Sequence, residues 1–282
     1  MLKHIFADTL LDGVKLLPFL FLAYLLIEFI ESKSEEKAVA LVRKAGKLGP
    51  VIGSALGVIP QCGFSAAMSN LYSTGIITRG TLLAVFLSTS DEMLPILISR
   101  QADPAFILKA VLFKFFVGAI VGTIVDTAAS HFGKTKEKHI HDMCEREGCK
   151  CEDGIFKSAL IHKIKIFVFI VLVTFILNYF VHSIGEEKLG TFIMNKPVLG
   201  QILAGIVGLV PNCASSVVLT ELYLQGALSA GAMMSGLLVS SGLGIIILFR
   251  MNRDIKDNLL TIGLLYASGV LFGILIEIIP IF

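Results

Sequence analysis

Long apolar runs separated by short polar stretches dominate this chain. The runs cover residues 16–30, 80–99, 105–125, 164–182, 230–249 and 258–282. Each is close to the ~20 residues that a helix needs to cross the hydrocarbon of a bilayer. The period-two alternation of a strand is scarce, and a helix satisfies its own backbone hydrogen bonds within lipid. The pattern therefore predicts an all-α, polytopic membrane protein.

The pattern occurs twice, with an offset of 151 residues. Pro60 then falls on Pro211, and Cys62 falls on Cys213. Further matched pairs are Ser65 and Ser216, Gly75 and Gly226, Gly80 and Gly231, and Asp126 and Glu277. Internal repeats in a hydrophobic protein are typical of transporters whose site lies at the repeat interface. We predict a first transmembrane repeat over 1–130, a linker over 131–163 and a second repeat over 164–282.

Each repeat contains a segment that is too long for one span and too short for two. Its halves in the first copy, 46–59 and 61–76, would rise only ~20–24 Å, whereas the hydrocarbon is ~30 Å thick. Pro60 and Pro211 interrupt the segments, because proline lacks a backbone donor and disfavours helix at the preceding residue. We predict broken, re-entrant helices at these two prolines. A pair of short tilted spans joined by a surface turn is the alternative.

The distribution of positive charge predicts the topology. Five hydrophobic elements per copy require the second copy to insert upside down relative to the first. With the linker in the cytoplasm, the inner loops carry 17 Lys and Arg residues and the outer loops carry 5. Cytoplasmic loops are enriched in these residues. We expect a multi-pass protein of the inner or plasma membrane, with two inverted repeats, both termini outside and a cytoplasmic linker.

We call the predicted helix breaks at Pro60-Gln61-Cys62 and Pro211-Asn212-Cys213 the Pro-x-Cys tips. Polar residues at these tips and in the adjoining spans are the candidate substrate ligands. Helix ends at a break expose N–H and C=O groups that can hold an ion. Two thiols at matched positions suit a soft metal or metalloid. The alternative is that these small residues only pack helices. The predicted substrate-binding set is Gln61, Cys62, Ser65, Asn70, Ser90, Asn212, Cys213, Ser215, Ser216 and Ser241.

Three acids lie within the predicted membrane segments. Asp91 and Glu92 lie in the 80–99 run, and Glu221 lies near the end of the predicted re-entrant segment of the second copy. Ionisable groups inside a bilayer are costly and commonly functional. We predict that these acids couple an ion or bind the substrate. Structural pairing with Lys109 or Lys114 is the alternative.

Asp126 and Glu277 each follow a Gly-x-x-x-Gly pair near the end of a span. Such glycines allow helices to approach closely. We expect the two acids to reach the membrane interface and to have no part in transport.

The linker is rich in metal-binding residue types. Imidazole and thiolate are zinc ligands, and short Cys/His-rich tracts commonly bind metal. The candidate linker ligands are His139, His141, Cys144, Cys149 and Cys151. A disulfide and a merely solvated loop are the alternatives, although the cytoplasm disfavours a persistent disulfide. No cofactor is required, but Zn²⁺ or another soft metal is a possible linker ligand.

Four stretches together resemble a known family. They are 58–65, 88–95, 209–216 and the linker tract 139–151. They are similar to the ten-helix heavy-metal exporter family, which is also labelled an arsenic efflux or manganese transporter family. The resemblance implies metal or metalloid export but does not choose a metal. Manganese prefers oxygen ligands and trivalent arsenic prefers thiolate, and the tips offer both.

The residues and the resemblance together predict a secondary-active transporter, an antiporter coupled to a proton or cation gradient. The chain has no Gly-x-x-x-x-Gly-Lys-Ser/Thr motif for ATP. Expected partners are the metal or metalloid ion, the bilayer and a second copy of the chain, but no nucleic acid. The alternative substrate is a small organic molecule or oxyanion, with a metal-sensing linker. A membrane metal sensor is a further class. An enzyme is not expected, because no His-Glu-x-x-His occurs on a span.

Overall fold

The computed structural model describes residues 48–58, 62–90, 93–131 and 198–279, and these form helices with no strand among them. The first predicted span and the His/Cys linker lie outside these ranges, as do Gln61, Asp91 and Glu92. The backbones of Cys62 and Cys213 are included, but their side chains are not. The helical architecture confirms the predicted all-α class for this part of the chain.

The described ranges contain ten helices, which form two sets of five. The first set is α1 Gly49–Gly57, α2 Cys62–Ser73, α3 Arg79–Ser88, α4 Met93–Ser99 and α5 Pro104–His131. The second set is α6 Leu199–Gly208, α7 Cys213–Leu224, α8 Ala230–Val239, α9 Gly244–Met251 and α10 Ile255–Ile278. Each helix of the first set begins 150 or 151 residues before its counterpart. The two copies therefore have the same order of elements.

The apolar runs 80–99 and 230–249 are each divided into two helices. Helix α3 ends at Ser88, and α4 begins at Met93; α8 ends at Val239, and α9 begins at Gly244. Taken across these interruptions, Arg79–Ile98 and Ala230–Met251 are long and apolar enough to cross a bilayer, as are the continuous helices α5 and α10. We call the stretch between α3 and α4, of which the structure describes Thr89 and Ser90, the first interruption, and residues 240–243 the second.

Among the described helices that are long enough to span a membrane, α5 and α10 are the least buried. Apolar side chains at four-residue intervals give α5 an exposed stripe: Leu108, Leu112, Phe116, Ile120 and Ile124. A contiguous exposed apolar surface of this kind suits contact with lipid. Helices α3 and α8, in contrast, bury almost every residue.

Glycines bring the outer helices against the buried ones. A Cβ added at Gly122 of α5 would lie 2.5 Å from the carbonyl oxygen of Gly80 in α3. A Cβ added at Gly273 of α10 would lie 2.7 Å from the carbonyl oxygen of Gly231 in α8. The Gly-x-x-x-Gly pairs therefore permit close backbone approach, as the sequence predicted.

The two copies contact each other mainly through their short helices. Helix α2 packs against α9, and α7 packs against α4. One apolar cluster contains Phe86 of α3 together with Leu238 of α8. The helices that flank both interruptions thus meet at the boundary between the copies.

Candidate functional site

The second interruption lies directly against the first copy. A Cβ added at Gly244, the first residue of α9, would lie 2.7 Å from Cε1 of Phe86 and 3.1 Å from Cβ of Ser65. Phe86 is in the last turn of α3, and Ser65 is in the first turn of α2. Glycine is needed at this contact because no room remains for a side chain. The contact brings the start of α9 to the ends of two helices of the other copy.

Serine hydroxyls of α2 and α7 lie beside the second interruption, and one of them connects the two copies. Ser69 Oγ lies 2.8 Å from the carbonyl oxygen of Gly244 and 2.9 Å from that of Ser65, in its own helix. In the second copy, Ser215 Oγ donates to the Asn212 carbonyl oxygen at 2.7 Å and lies 3.5 Å from Ser240 Oγ. The start of α7 therefore lies beside the second interruption.

The predicted substrate-binding residues whose side chains are described are all buried. Their exposed fractions are at most 6%: Ser65, Asn70, Ser90, Asn212, Ser215, Ser216 and Ser241. Buried polar groups in proteins are normally satisfied by hydrogen bonds, because an unsatisfied one is costly. A concentration of such groups beside two interrupted spans distinguishes this region from an ordinary packed core.

Ser241 differs from its neighbours. Its side chain is 1% exposed, and its Oγ has no hydrogen-bond partner within the four described ranges. Ser90, its counterpart in the first copy, has its Oγ 3.4 Å from the Ser88 carbonyl oxygen. The Ser241 hydroxyl is thus a buried polar group in the second interruption that a ligand could satisfy.

A buried lysine reaches the same interruption. Lys114 of α5 is 1% exposed, and its Nζ donates to the carbonyl oxygen of Leu237 at 2.7 Å. Leu237 is in the last turn of α8, where carbonyl groups lack intrahelical partners and carry partial negative charge. Sequence reasoning considered Lys114 only as a counter-ion for acids. The signal it underused is that an ionisable residue within a membrane span is itself a functional candidate.

A family comparison adds to this picture. The family model described as "Putative, 10TM heavy-metal exporter" matches residues 3–185, nearly two thirds of the chain. The chain belongs to this family. The resemblance inferred from its motifs is confirmed, and the four apolar stretches agree with a multi-pass membrane protein. No curated protein and no solved structure matches the chain.

In this heavy-metal exporter family member, Glu221 lies apart from the hydroxyl groups around the interruptions. Both of its carboxylate oxygens accept hydrogen bonds from Arg100, at 3.0 and 3.1 Å, and the Arg100 side chain is 61% exposed. Glu221 is eight residues after Cys213, which is roughly 12 Å along a helix. Its role in coupling or substrate binding stays a prediction.

A second polar contact joins the copies at Asp257, the third residue of α10. Arg79 forms an ion pair with its carboxylate, and the Tyr72 hydroxyl donates to Oδ2 at 2.7 Å. The offset of 151 residues relates Tyr72 to Tyr223 and Phe106 to Asp257. The rings of Tyr223 and Phe106 stack with their centroids 5.2 Å apart. Position 72 therefore contacts position 257, and the matching position 223 contacts position 106.

The chemistry of the described site consists of hydroxyls, amides and one ammonium. Within the described ranges, no group of three His, Cys, Asp or Glu residues could hold a metal ion. The predicted ligands that would change this chemistry are outside the description: Gln61, Asp91, Glu92 and the thiols of Cys62 and Cys213. The structure therefore supplies the setting of the site, and the acids and thiols remain predicted ligands.

Proposed function

We propose that this protein is a secondary-active transporter that exports a metal or metalloid ion. The cargo binds between the two interruptions and the two Pro-x-Cys tips. The observation that carries the proposal is the contact of Gly244 with Phe86 and Ser65, which joins the second interruption to the first copy. Family membership supports the direction and class of cargo.

The interruptions provide a physical basis for ion binding. Helix ends within a membrane protein present free carbonyl and N–H groups, and transporters use discontinuous helices to hold ions near the mid-plane. Non-helical backbone is tolerated at this depth only where protein or a water-filled cavity surrounds it. The buried hydroxyls of Ser90, Ser240 and Ser241 lie at these helix ends.

We infer an inverted relationship between the copies from their reciprocal contacts. A two-fold axis requires that if residue i of one copy contacts residue j of the other, then j also contacts i. The pair Tyr72 and Asp257 and the pair Tyr223 and Phe106 meet this requirement. An axis in the membrane plane would let the two copies rock and expose the site to each side in turn.

The charge distribution agrees with this arrangement. Arg79 and Asp257 form an ion pair, and the excess of Lys and Arg assigns both of their loops to the cytoplasmic side. The Arg100–Glu221 pair joins segments at or near the loops assigned to the outer side. Each ion pair thus lies on one face, as an inverted repeat requires.

We propose that the acids and thiols complete the cargo site. Asp91 and Glu92 are the third and fourth residues after the end of α3, and Cys62 and Cys213 begin α2 and α7. Carboxylate and carbonyl oxygen would favour manganese, whereas the thiols would favour zinc or trivalent arsenic. The His/Cys tract 139–151 is proposed to bind metal in the cytoplasm and to sense or deliver it.

A second candidate cargo is an oxyanion or small organic acid. The observation that favours it is the Lys114 ammonium beside the second interruption, together with the hydroxyl donors around it. Charge-assisted hydrogen bonds from such donors recognise anions. The linker would then regulate transport and take no part in it.

Transport into proteoliposomes tests the proposal. The cargo panel is Mn²⁺, Zn²⁺, Co²⁺, Cd²⁺, arsenite, an organoarsenical and phosphate, each with and without a pH gradient. Variants are Cys62→Ser/Cys213→Ser, Asp91→Asn, and a linker form with Cys144, Cys149 and Cys151 replaced by Ser. Movement of a metal or arsenite that the tip or acid changes abolish, and the linker change leaves intact, is the expected result.

Two other outcomes are informative. Movement of phosphate or the organoarsenical alone would favour the second candidate cargo. Tight metal binding confined to the linker, with no movement of any compound, would support a membrane sensor and reject transport. The exposed residue Lys109 provides a control, because Lys109→Gln changes a charge on α5 away from the buried face.

A further inference from the structure

We propose that Asp257 and its partners form the cytoplasmic gate of this transporter, and that cargo enters from the cytoplasm only after they separate. We call Tyr72, Arg79, Asn252 and Asp257 the Asp257 cluster. Tyr72 and Arg79 belong to the first copy, whereas Asn252 and Asp257 belong to the second. This role rests on the proposed transport function, and it identifies the contact that must break before the cargo site opens to the cytoplasm.

One carboxylate joins four helices in the Asp257 cluster. Arg79, the first residue of α3, forms an ion pair with Asp257, and the Tyr72 hydroxyl of α2 donates to Asp257 Oδ2 at 2.7 Å. Within the second copy, Oδ2 also accepts from Nδ2 of Asn252, the C-cap residue of α9, at 2.6 Å. Hydrogen bonds to an ionised group are roughly twice as strong as neutral ones. Asp257 is therefore a strong link between the two copies.

Packed contacts connect the cluster with the second interruption. Ser69 and Tyr72 lie on one face of α2, because they are three residues apart. Ser69 Oγ lies 2.8 Å from the Gly244 carbonyl oxygen at the start of α9, and Tyr72 shares an apolar cluster with Ile245 and Leu248 of α9. Helix α9 extends from the interruption toward the cluster, roughly 12 Å over its eight residues. The joined faces of α2 and α9 therefore separate the proposed cargo site from the far end of α9.

The distribution of positive charge assigns this end of α2 and α9 to the cytoplasm. Loop 77–79 contains Arg79, and loop 250–257 contains three Lys or Arg residues. Cytoplasmic loops are enriched in these residues. An exporter admits its cargo from this side, so the contact between α2 and α9 must open during each cycle. The structure has that contact closed.

Both charged groups of the cluster keep a partner when the copies separate. Arg79 Nε donates to the Tyr72 hydroxyl oxygen at 3.4 Å, within the first copy. Asp257 keeps the bond from Asn252, which also donates to Asn258 Oδ1 at 2.7 Å. A charge that loses its partner inside a protein is costly. Because each charge retains a bond within its own copy and gains water, the cluster can open and close reversibly.

The matched positions on the other side have no such charges. The offset of 151 residues relates Arg79 to Ala230 and Asp257 to Phe106. Phe106 stacks on Tyr223 in an apolar contact. The charged contact between matched positions is therefore confined to the side that the loops assign to the cytoplasm.

The ion pair on the outer side is weaker. Arg100 pairs with Glu221, but the Arg100 side chain is 61% exposed, whereas the side chains of Arg79 and Asp257 are 27% and 13% exposed. An exposed ion pair contributes little, because water and salt screen it. We expect loss of the Asp257 contacts to favour opening toward the cytoplasm, and loss of the Arg100 pair to have no such effect.

The test measures how fast a reagent reaches residues behind the proposed gate, on the full-length protein in membrane vesicles. The reporters are Ser69→Cys in α2 and Ile245→Cys in α9, each introduced alone. Inside-out and right-side-out vesicles are treated with a membrane-impermeant maleimide in the absence of cargo. Mass spectrometry of the peptide that contains the reporter locates and quantifies the label, so the native cysteines are retained.

Gate variants are made in each reporter background. They are Tyr72→Phe, Arg79→Gln and Asp257→Asn. Lys256→Gln is the matched control, because Lys256 is exposed and adjacent to Asp257 but outside the cluster. Glu221→Gln is the control for the outer pair. Tyr72→Phe removes a single hydroxyl, so it tests the gate even if a charge change prevents folding.

The labelling rate is expected to follow the population of the open form. Asp257→Asn and Arg79→Gln are expected to raise labelling from the cytoplasmic side about tenfold or more, because they remove bonds that only the closed form makes. Tyr72→Phe is expected to raise it about threefold, since one hydrogen bond is lost. Lys256→Gln and Glu221→Gln are expected to label at the rate of the unmodified gate. Arg79→Gln and Asp257→Asn together are expected to resemble the single changes, because both break the same pair.

Three results would overturn the proposal. The first is an unchanged labelling rate in folded Tyr72→Phe, Arg79→Gln and Asp257→Asn. The second is an equal rise in Lys256→Gln, which would indicate general loosening of the loop. The third is faster labelling from the outer side alone, which would contradict a cytoplasmic position. Failure of the proposed export is a separate result, because the cargo panel measures it and labelling requires no cargo.

Discussion

Ser229 donates a hydrogen bond from Oγ to Oε2 of Glu277 at 2.7 Å. In the first copy, Thr78 donates from Oγ1 to Oδ2 of Asp126 at 2.5 Å, and Gly80 N donates to Oδ1 at 2.8 Å. Thr78 and Ser229 are the N-cap residues of α3 and α8. Each carboxylate thus lies at the positive end of a buried helix, where negative charge is favourable. The two acids fix the outer helices to the buried ones in both copies.

Asp126→Asn is therefore expected to lower stability without preventing transport. The amide keeps one acceptor but loses the charge that strengthens the bonds from Thr78 and Gly80. Hydrogen bonds to charged groups contribute about 1.5–3 kcal/mol, so a loss of that order is expected. Thermal unfolding in detergent, followed by circular dichroism, measures it. Thr127→Val is the control, because Thr127 is exposed and bonds only its own helix.

Close backbone contact predicts a sharp contrast between two glycines. In Gly122→Val the new Cβ would lie 2.5 Å from the Gly80 carbonyl oxygen and 2.9 Å from the Pro50 Cβ. Overpacking of this kind costs about 1–3 kcal/mol. Gly263→Ala meets nothing within 4 Å and gains up to about 1 kcal/mol of helix propensity. Equal unfolding temperatures for the two variants would contradict the packing of α5 on α3.

The repeat and the close helix contacts could be predicted because they depend on residues at matched positions. Gly122 and Gly273 permit close approach by lacking a side chain, whereas the helix breaks predicted at Pro60 and Pro211 stay predictions. These effects act locally, so a single sequence reveals them. The offset of 151 residues accordingly reproduces the observed order of helices.

The interruptions after α3 and after α8 could not be predicted in the same way. Serine, threonine and glycine are common in membrane helices, where hydroxyls often bond the preceding turn. Thr89 Oγ1 does so, donating to the Val85 carbonyl oxygen at 2.7 Å. Whether such a bond accompanies a continuous helix or an interrupted one depends on contacts from other helices. The apolar length of each run therefore indicated a span and did not reveal its break.

The sequence also did not predict whether a charged side chain is buried in the bundle or reaches an exposed partner. Glu221 and Lys114 both lie in apolar surroundings along the sequence, yet Glu221 pairs with the exposed Arg100 while Lys114 is fully buried. Hydrophobic periodicity cannot separate these cases, because helices α5 and α7 have little amphipathic pattern. Tertiary packing determines whether a charged side chain is buried or exposed.

The two ion pairs between the copies are expected to differ in strength. Asp257 accepts from Arg79, from Tyr72 and from Asn252 Nδ2 at 2.6 Å, and its side chain is 13% exposed. Asp257→Asn leaves a partly buried arginine without its counter-ion, at a cost of about 2 kcal/mol or more. Glu221→Gln disrupts a more exposed pair, which costs about 0–1 kcal/mol. Thermal unfolding of both variants measures the difference, and a larger loss in Glu221→Gln would contradict it.

Ser241 allows packing and cargo binding to be separated. Its hydroxyl is buried without a partner in the described ranges, so Ser241→Ala removes an unsatisfied group and is expected to leave stability unchanged or raised by about 1 kcal/mol. If the hydroxyl binds cargo, the same change raises the cargo concentration needed for half-maximal transport severalfold. Ser235→Ala is the matched control in α8, because Ser235 Oγ donates to the Gln201 carbonyl oxygen at 2.7 Å. That variant is expected to lose about 1 kcal/mol of stability with unchanged cargo affinity. Loss of stability in Ser241→Ala with unaltered transport would show that this hydroxyl packs the interruption and does not bind the cargo.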